Sequence, residues 1–139
     1  MSNEAANVKI LEDAYRHWRE SRGQGVKELL SICDPTISFG SVARGADPLT
    51  FAKQYDNRAA LQSYFDGLLA DWTMVHYTVD EFVAQGDAVF ARGSCAWTNK
   101  KTGKTAETPK VDFWRFRDGK AVEFYEYFDT AHVLAAATP

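Results

Sequence analysis

Two carboxylates stand in the most aromatic stretch of the chain, and they are the residues best placed to do chemistry. Residues 104–130 read KTAETPKVDFWRFRDGKAVEFYEYFDT. The pattern predicts two long strands joined by a tight turn at Arg117-Asp118-Gly119-Lys120, where the Asp-Gly pair supplies the positive φ angles that a short hairpin turn requires. Side chains alternate along a strand, so Asp112, Trp114 and Phe116 share one face of the first arm. Phe124, Glu126 and Phe128 share one face of the second. Carboxylates set among large apolar side chains are costly to bury and need a reason. A register slip of one residue would send both to solvent instead.

Asp112 and Glu126 lie on neighbouring arms at similar distances from the turn, so they can meet across the strand pair. Two carboxyls that close in an apolar site do not both ionise cheaply, and their pKa values are expected to separate. Asp112, between Val111 and Phe113 and beside Trp114, is expected to be the neutral partner. Such a pair suits proton transfer next to a carbonyl, which needs one base and donors for the developing oxyanion.

Other polar residues carry weaker signals. His17, His76 and His132 are widely spaced, and no metal site is expected. His76, in the segment HYT, is a candidate cavity residue for acid–base work, or a structural histidine. Arg92 pairs with a neighbouring carboxylate or serves the site. Cys33 and Cys95 are isolated and are expected to be small reduced core residues. Lys100, Lys101, Lys104 and Lys110 cluster in sequence and are read as a solvated hairpin tip.

The elements that must position these residues follow from periodicity. Residues 4–21 carry Val8, Leu11, Ala14, Tyr15 and Trp18 on one helical stripe. A short second helix over 26–32 ends at Asp34-Pro35, which turns the chain into a brief strand over 36–39. Residues 40–56 read as a long loop, a lid or rim. Asp56 or Asn57 is placed to cap a third helix whose stripe is Leu61, Phe65, Leu68, Leu69 and Trp72. From Thr73 the period becomes two, with strands at 74–84 and 87–98 before the hairpin. Helices followed by antiparallel strands predict one α+β domain spanning 1–139, a curved sheet wrapped around three N-terminal helices and leaving a conical cavity.

Composition narrows the partners. The chain has 139 residues, 45% hydrophobic and 14% aromatic, with a formal net charge of −3. That charge gives no electrostatic basis for binding nucleic acid or an anionic membrane. No apolar run reaches the length of a membrane span and no signal-peptide pattern opens the chain, so a cytoplasmic location is expected.

The element order, together with ELLSICDPTISF, VDFWRFRDGKAVEFYEYFD and the distance from Tyr15 to Asp34, resembles the nuclear transport factor 2-like superfamily. Ketosteroid isomerases, SnoaL-type polyketide cyclases, scytalone dehydratase and limonene epoxide hydrolase share that fold. The resemblance covers nearly the whole chain and implies no cofactor. By similarity to ketosteroid isomerases, Tyr15 corresponds to an oxyanion-hole tyrosine and Asp112 to a protonated aspartic acid. Their catalytic base falls on Phe39, which cannot accept a proton. Similarity to polyketide cyclases places an acid/base carboxylate on Glu126. Similarity to limonene epoxide hydrolase matches Arg92 and Glu126, with Ser94 where an aspartate would stand.

These readings converge on a small, mostly apolar, oxygen-bearing ligand held among Trp18, Phe39, His76, Arg92, Trp114, Phe124 and Phe128. Tyr15 and Asp112 are expected to hold one substrate oxygen while Glu126 moves the proton, giving isomerisation, cyclisation or dehydration. The alternative is a domain that only holds a ligand; epoxide hydrolysis is a third reading, weakened by Ser94. The opposite sheet face carries Val111, Phe113, Tyr125 and Tyr127, an apolar patch that predicts a two-fold homodimer.

Overall fold

The computed structural model describes residues 3–139. Helix α1 (Asn3–Glu20) is followed by a short α2 (Val26–Ser31), strand β1 (Cys33–Ser41) and helix α3 (Leu61–Asp71). Four long strands complete the sheet: β2 (Trp72–Gln85), β3 (Ala88–Asn99), β4 (Thr105–Arg117) and β5 (Lys120–Phe128). Helix α4 (Thr130–Ala137) closes the chain. The sheet order is β1-β5-β4-β3-β2. Strand β1 runs parallel to β5 and the other neighbours are antiparallel, so the open five-stranded sheet is mixed.

One face of this sheet and the inner stripes of α1 and α3 make the core. Helix α1 buries Leu11, Ala14, Tyr15 and Trp18, and α3 buries Leu61, Tyr64 and Phe65. Aromatic contacts tie helices to each other and to the sheet: Trp18 against Phe65 and Trp97, Tyr15 against Tyr77 and Trp114, Phe39 against Tyr64 and Phe124. Such edge and offset contacts add to what area burial alone supplies.

The β4–β5 hairpin turns at Asp118 and Gly119, both with positive φ (50° and 78°), as the two-residue turn demands. Near the turn Phe116 pairs with Ala121, but beyond a register shift Arg115 pairs with Glu123 and Asp112 with Glu126. Val122 is the extra residue of this bulge. Without it Asp112 would stand opposite Tyr125. With it, Asp112, Trp114 and Phe116 face the core alongside Ala121, Phe124 and Glu126.

Several expectations need correction. Strand β1 begins at Cys33, where it pairs with Ala121, and its register shifts before Ser38; Pro35, lacking an N–H, lies within the irregular part. Helix α3 starts at Leu61 rather than beside Asn57; the Asn57 Oδ1 instead accepts from the Ala60 backbone N–H at 2.8 Å, capping the preceding turn. The segment 42–56 is wall more than rim. Phe39 and Tyr55 exchange two backbone hydrogen bonds of 2.8 Å, and Leu49 and Ala52 are buried. Helix α4 has no counterpart in the sequence reading; Asp129 caps it by accepting from the His132 N–H at 3.1 Å.

Candidate functional site

Between the sheet's inner face and the helices lies a cavity of about 110 Å³. Trp18, Phe39, Trp114, Phe124 and Phe128 form part of its wall, together with Leu49 and Phe51 from the 42–56 segment. The large aromatic residues therefore line the space rather than fill it. The charged side chains of its lining, Lys110, Asp112 and Glu126, stand on β4 and β5.

Asp112 and Glu126 are directly opposed and only 3% and 4% exposed, which settles the register in favour of the inward face. The structure adds a third charge between them. Lys110, two residues before Asp112 on β4, also points inward, with only 12% of its side chain exposed. Its Nζ lies 2.5 Å from Asp112 Oδ1 and 3.4 Å from Glu126 Oε1. It also sits near the faces of Tyr77 (5.4 Å) and Phe124 (5.9 Å), where ring quadrupoles favour a cation. Lys110 therefore does not belong to a solvated loop.

Three tyrosines complete the network. Tyr15 Oη donates to Asp112 Oδ2 at 2.5 Å and accepts from Trp114 Nε1 at 2.9 Å. Tyr77 Oη donates to the same Oδ2 at 3.0 Å. Tyr64 Oη, reaching down from α3, donates to Glu126 Oε1 at 2.9 Å. Burial, then the neighbouring carboxylate charge, raises all three tyrosines well above the usual phenol value of 10.0. They therefore remain neutral donors. Burial by itself pushes Lys110 down, but the charges of Asp112 and then Glu126 outweigh it and hold the ammonium well above its usual 10.5. Burial likewise lifts the Cys33 and Cys95 thiols to about 12 and about 11, leaving them inert as nucleophiles.

This arrangement revises the expected roles. Asp112 accepts from Tyr15, Tyr77 and Lys110, so both of its oxygens are engaged as acceptors and neither is turned to a ligand as a donor. Tyr15 has committed its proton to Asp112, so the expected Tyr15–Asp112 pair of donors to one substrate oxygen is not assembled. Glu126 differs. Its Oε1 is engaged, but no donor among the described residues reaches Oε2, and no buried side-chain oxygen is left sealed without a partner. Oε2 therefore opens on the cavity that Glu126 lines.

Two sequence candidates stand elsewhere. His76 is on the outer face, 3.8 Å from Glu107, with 37% of its side chain exposed; its neighbour Tyr77 takes the inward position. Arg92 is 63% exposed and pairs loosely with Glu81 at 3.9 Å. Alternation along β3 puts Ser94 on that same outer face, so the epoxide-hydrolase set is not gathered around Glu126.

Lys110, Tyr64 and Tyr77 were missed. Lys110 was legible, since alternation from Asp112 places it inward two residues earlier. Tyr64 neighbours Phe65 on the α3 stripe. Tyr77 could be placed only once the β2 register was known, because β2 shifts register against β3 between Met74 and His76.

A sequence profile described as a SnoaL-like domain matches residues 11–124. The chain belongs to the SnoaL-like family. Solved structures agree on the fold of this SnoaL-like protein. It is similar to a nuclear transport factor 2-like protein of unknown function from Burkholderia pseudomallei, 21% identical over 100% of both chains, with a TM-score of 0.83. TerC, co-crystallised with polyporic acid, is 21% identical over 95% of this chain and 98% of its own, with a TM-score of 0.80. A protein with a ketosteroid isomerase-like fold from Catenulispora acidiphila, in complex with trimethylamine, is 16% identical over 91% of this chain and 97% of its own, with a TM-score of 0.73. No curated protein matches the SnoaL-like chain.

Proposed function

We propose that the cavity binds a small, mostly apolar, oxygen-bearing molecule and that Glu126 moves a proton on it without a cofactor. The observation that carries this reading is the inequality of the two carboxylates. Asp112 has donors on both oxygens, whereas Glu126 keeps Oε2 open to an aromatic cavity. A carboxylate held by one oxygen and free at the other is positioned to accept a proton from a carbon acid. The walls favour a compound bound by its apolar body and oriented by few polar groups. TerC, with the same fold, has been crystallised with polyporic acid, an oxygenated ligand consistent with this class. The reaction class is proton transfer beside a carbonyl, leading to isomerisation, cyclisation or dehydration.

The test begins with native mass spectrometry of the purified protein to identify a co-purifying ligand. Glu126→Gln then removes the base while keeping shape, and turnover of that ligand or its precursor falls by about a hundredfold or more. Ligand binding is retained. Full activity in E126Q removes the base assignment. A ligand that binds equally to both forms and is never converted makes the domain a carrier.

A further inference from the structure

Proton abstraction beside a carbonyl needs a donor for the oxygen that becomes negative. The tyrosines do not supply it, since Tyr15, Tyr77 and Tyr64 all donate to Asp112 or Glu126. We propose that the Lys110 ammonium is the oxygen-side catalytic group, working with Glu126 Oε2 as base on a neutral carbonyl compound whose labile C–H lies next to the carbonyl. This assignment rests on the reading of Glu126 as base.

The ammonium carries three N–H bonds. One meets Asp112 Oδ1 at 2.5 Å, and Glu126 Oε1 stands 3.4 Å from Nζ as an ion-pair partner. No other oxygen among the described residues accepts from Nζ, and Lys110 lines the cavity, so an N–H remains for a ligand. Asp112, itself held by Tyr15 and Tyr77, fixes the ammonium in place. Its raised pKa keeps the amine protonated, so it acts as a hydrogen-bond donor and not as a nucleophile toward the carbonyl. The closeness of Nζ to the Glu126 carboxylate limits the geometry. With the carbonyl oxygen on Lys110, the carbon within reach of Oε2 is the adjacent one, not a remote vinylogous one. The three side chains sum to one net negative charge, so the apolar cavity disfavours carboxylate ligands and admits neutral carbonyl compounds.

The step balances without a co-reactant. Glu126 Oε2 takes the proton; the C–H electron pair becomes the enolate C=C bond. The carbonyl π pair moves to oxygen, which accepts the Lys110 N–H. Returning the proton to carbon restores the Glu126 carboxylate.

The test uses cyclohexanone, labelled with carbon-13 at the carbonyl, in deuterated buffer. Saturation-transfer NMR confirms binding, and loss of the α-proton signal measures exchange. Wild type is expected to exceed the buffer rate, with E126Q and K110M each losing about a hundredfold of that acceleration. The carbonyl carbon resonance of the bound ketone is expected to move downfield in wild type and E126Q but not in K110M, a signature that a purely structural lysine would not give. Circular dichroism checks folding. Where K110M fails to fold, K110M/D112N, which removes the unpaired charge as well, takes its place in the same comparisons. Exchange that survives loss of Lys110 but not loss of Glu126 overturns this proposal and leaves the proposed function standing. A wild type that binds cyclohexanone without exchanging it, or does not bind it, overturns both.

Discussion

Replacing Lys110 with Met keeps most of the stem's apolar volume and removes only the charge between Asp112 and Glu126. Breaking a buried ion pair by removing one partner costs about 3–5 kcal/mol, because the remaining charge stays buried. Here the loss is shared. Asp112 retains hydroxyl donors from Tyr15 and Tyr77, and Glu126 retains Tyr64. That partial compensation sets the expectation at the lower end, about 3 kcal/mol at pH 8, or a fall in urea midpoint of roughly 1–2 M. Tryptophan fluorescence reports the transition, since Trp18, Trp72 and Trp114 are all buried.

The pH dependence has a definite sign. In K110M the two opposed carboxylates lack a cation, so one takes up a proton more readily folded than unfolded. A folded-state pKa raised in this way gives stability that is present at low pH and is lost as pH rises. The deficit of K110M is therefore expected to shrink by more than half at pH 5. The wild type shows the same sign at the other end of the scale: Lys110 is raised well above 10.5, so its contribution is fully present through neutral pH and is lost as pH rises through the folded-state value. A K110M deficit below about 1 kcal/mol at pH 8, or one that grows on acidification, would refute the charge assignment at the centre of the site.

Three further outcomes are expected. Tyr15→Phe takes one donor from Asp112 and orphans the Trp114 indole N–H, costing about 1–3 kcal/mol in urea unfolding. Gly93→Ala would put a Cβ 1.8 Å from the Thr78 carbonyl oxygen and 2.9 Å from the Val79 Cα; because both are backbone, the β2–β3 pairing must part, and a loss of more than about 4 kcal/mol is expected by thermal or urea unfolding. We also propose a two-fold homodimer through the outer sheet face, where Phe90 and Tyr127 are 42% and 47% exposed beside Phe113 and Tyr125. Light scattering should give twice the chain mass at micromolar concentration, and Tyr127→Lys combined with Phe90→Lys should halve it.

The fold was largely legible because its signals are local. Helical stripes in α1 and α3, the Asp118-Gly119 turn and alternation in β4 and in β5 beyond its bulge each state their own geometry. What escaped depends on pairing. Strand β1 is longer than its sequence suggests because β5 recruits it in parallel through Cys33 and Ser38–Ser41, and no local pattern encodes a parallel partner. Helix α4, rich in alanine and only eight residues long, takes its position from tertiary contacts.

The site shows the same division more sharply. Asp112 and Glu126 declared themselves by standing among aromatic residues, yet their chemistry lay in residues with ordinary surroundings in sequence. Lys110 follows Pro109 and closes a run rich in lysine, so composition assigns it to solvent while alternation assigns it to the core. Alternation wins because β4 is continuous from Thr105 to Arg117, and a strand cannot turn one side chain outward without moving its neighbours. Once Lys110 is inside, the expectation for Asp112 must change. A carboxyl among apolar rings is expected to donate, but this one accepts from an ammonium and two phenols. The aromatic lining therefore marks the cavity proposed for a ligand, while the charge beside it depends on Lys110, a cation that apolar patterning could not predict.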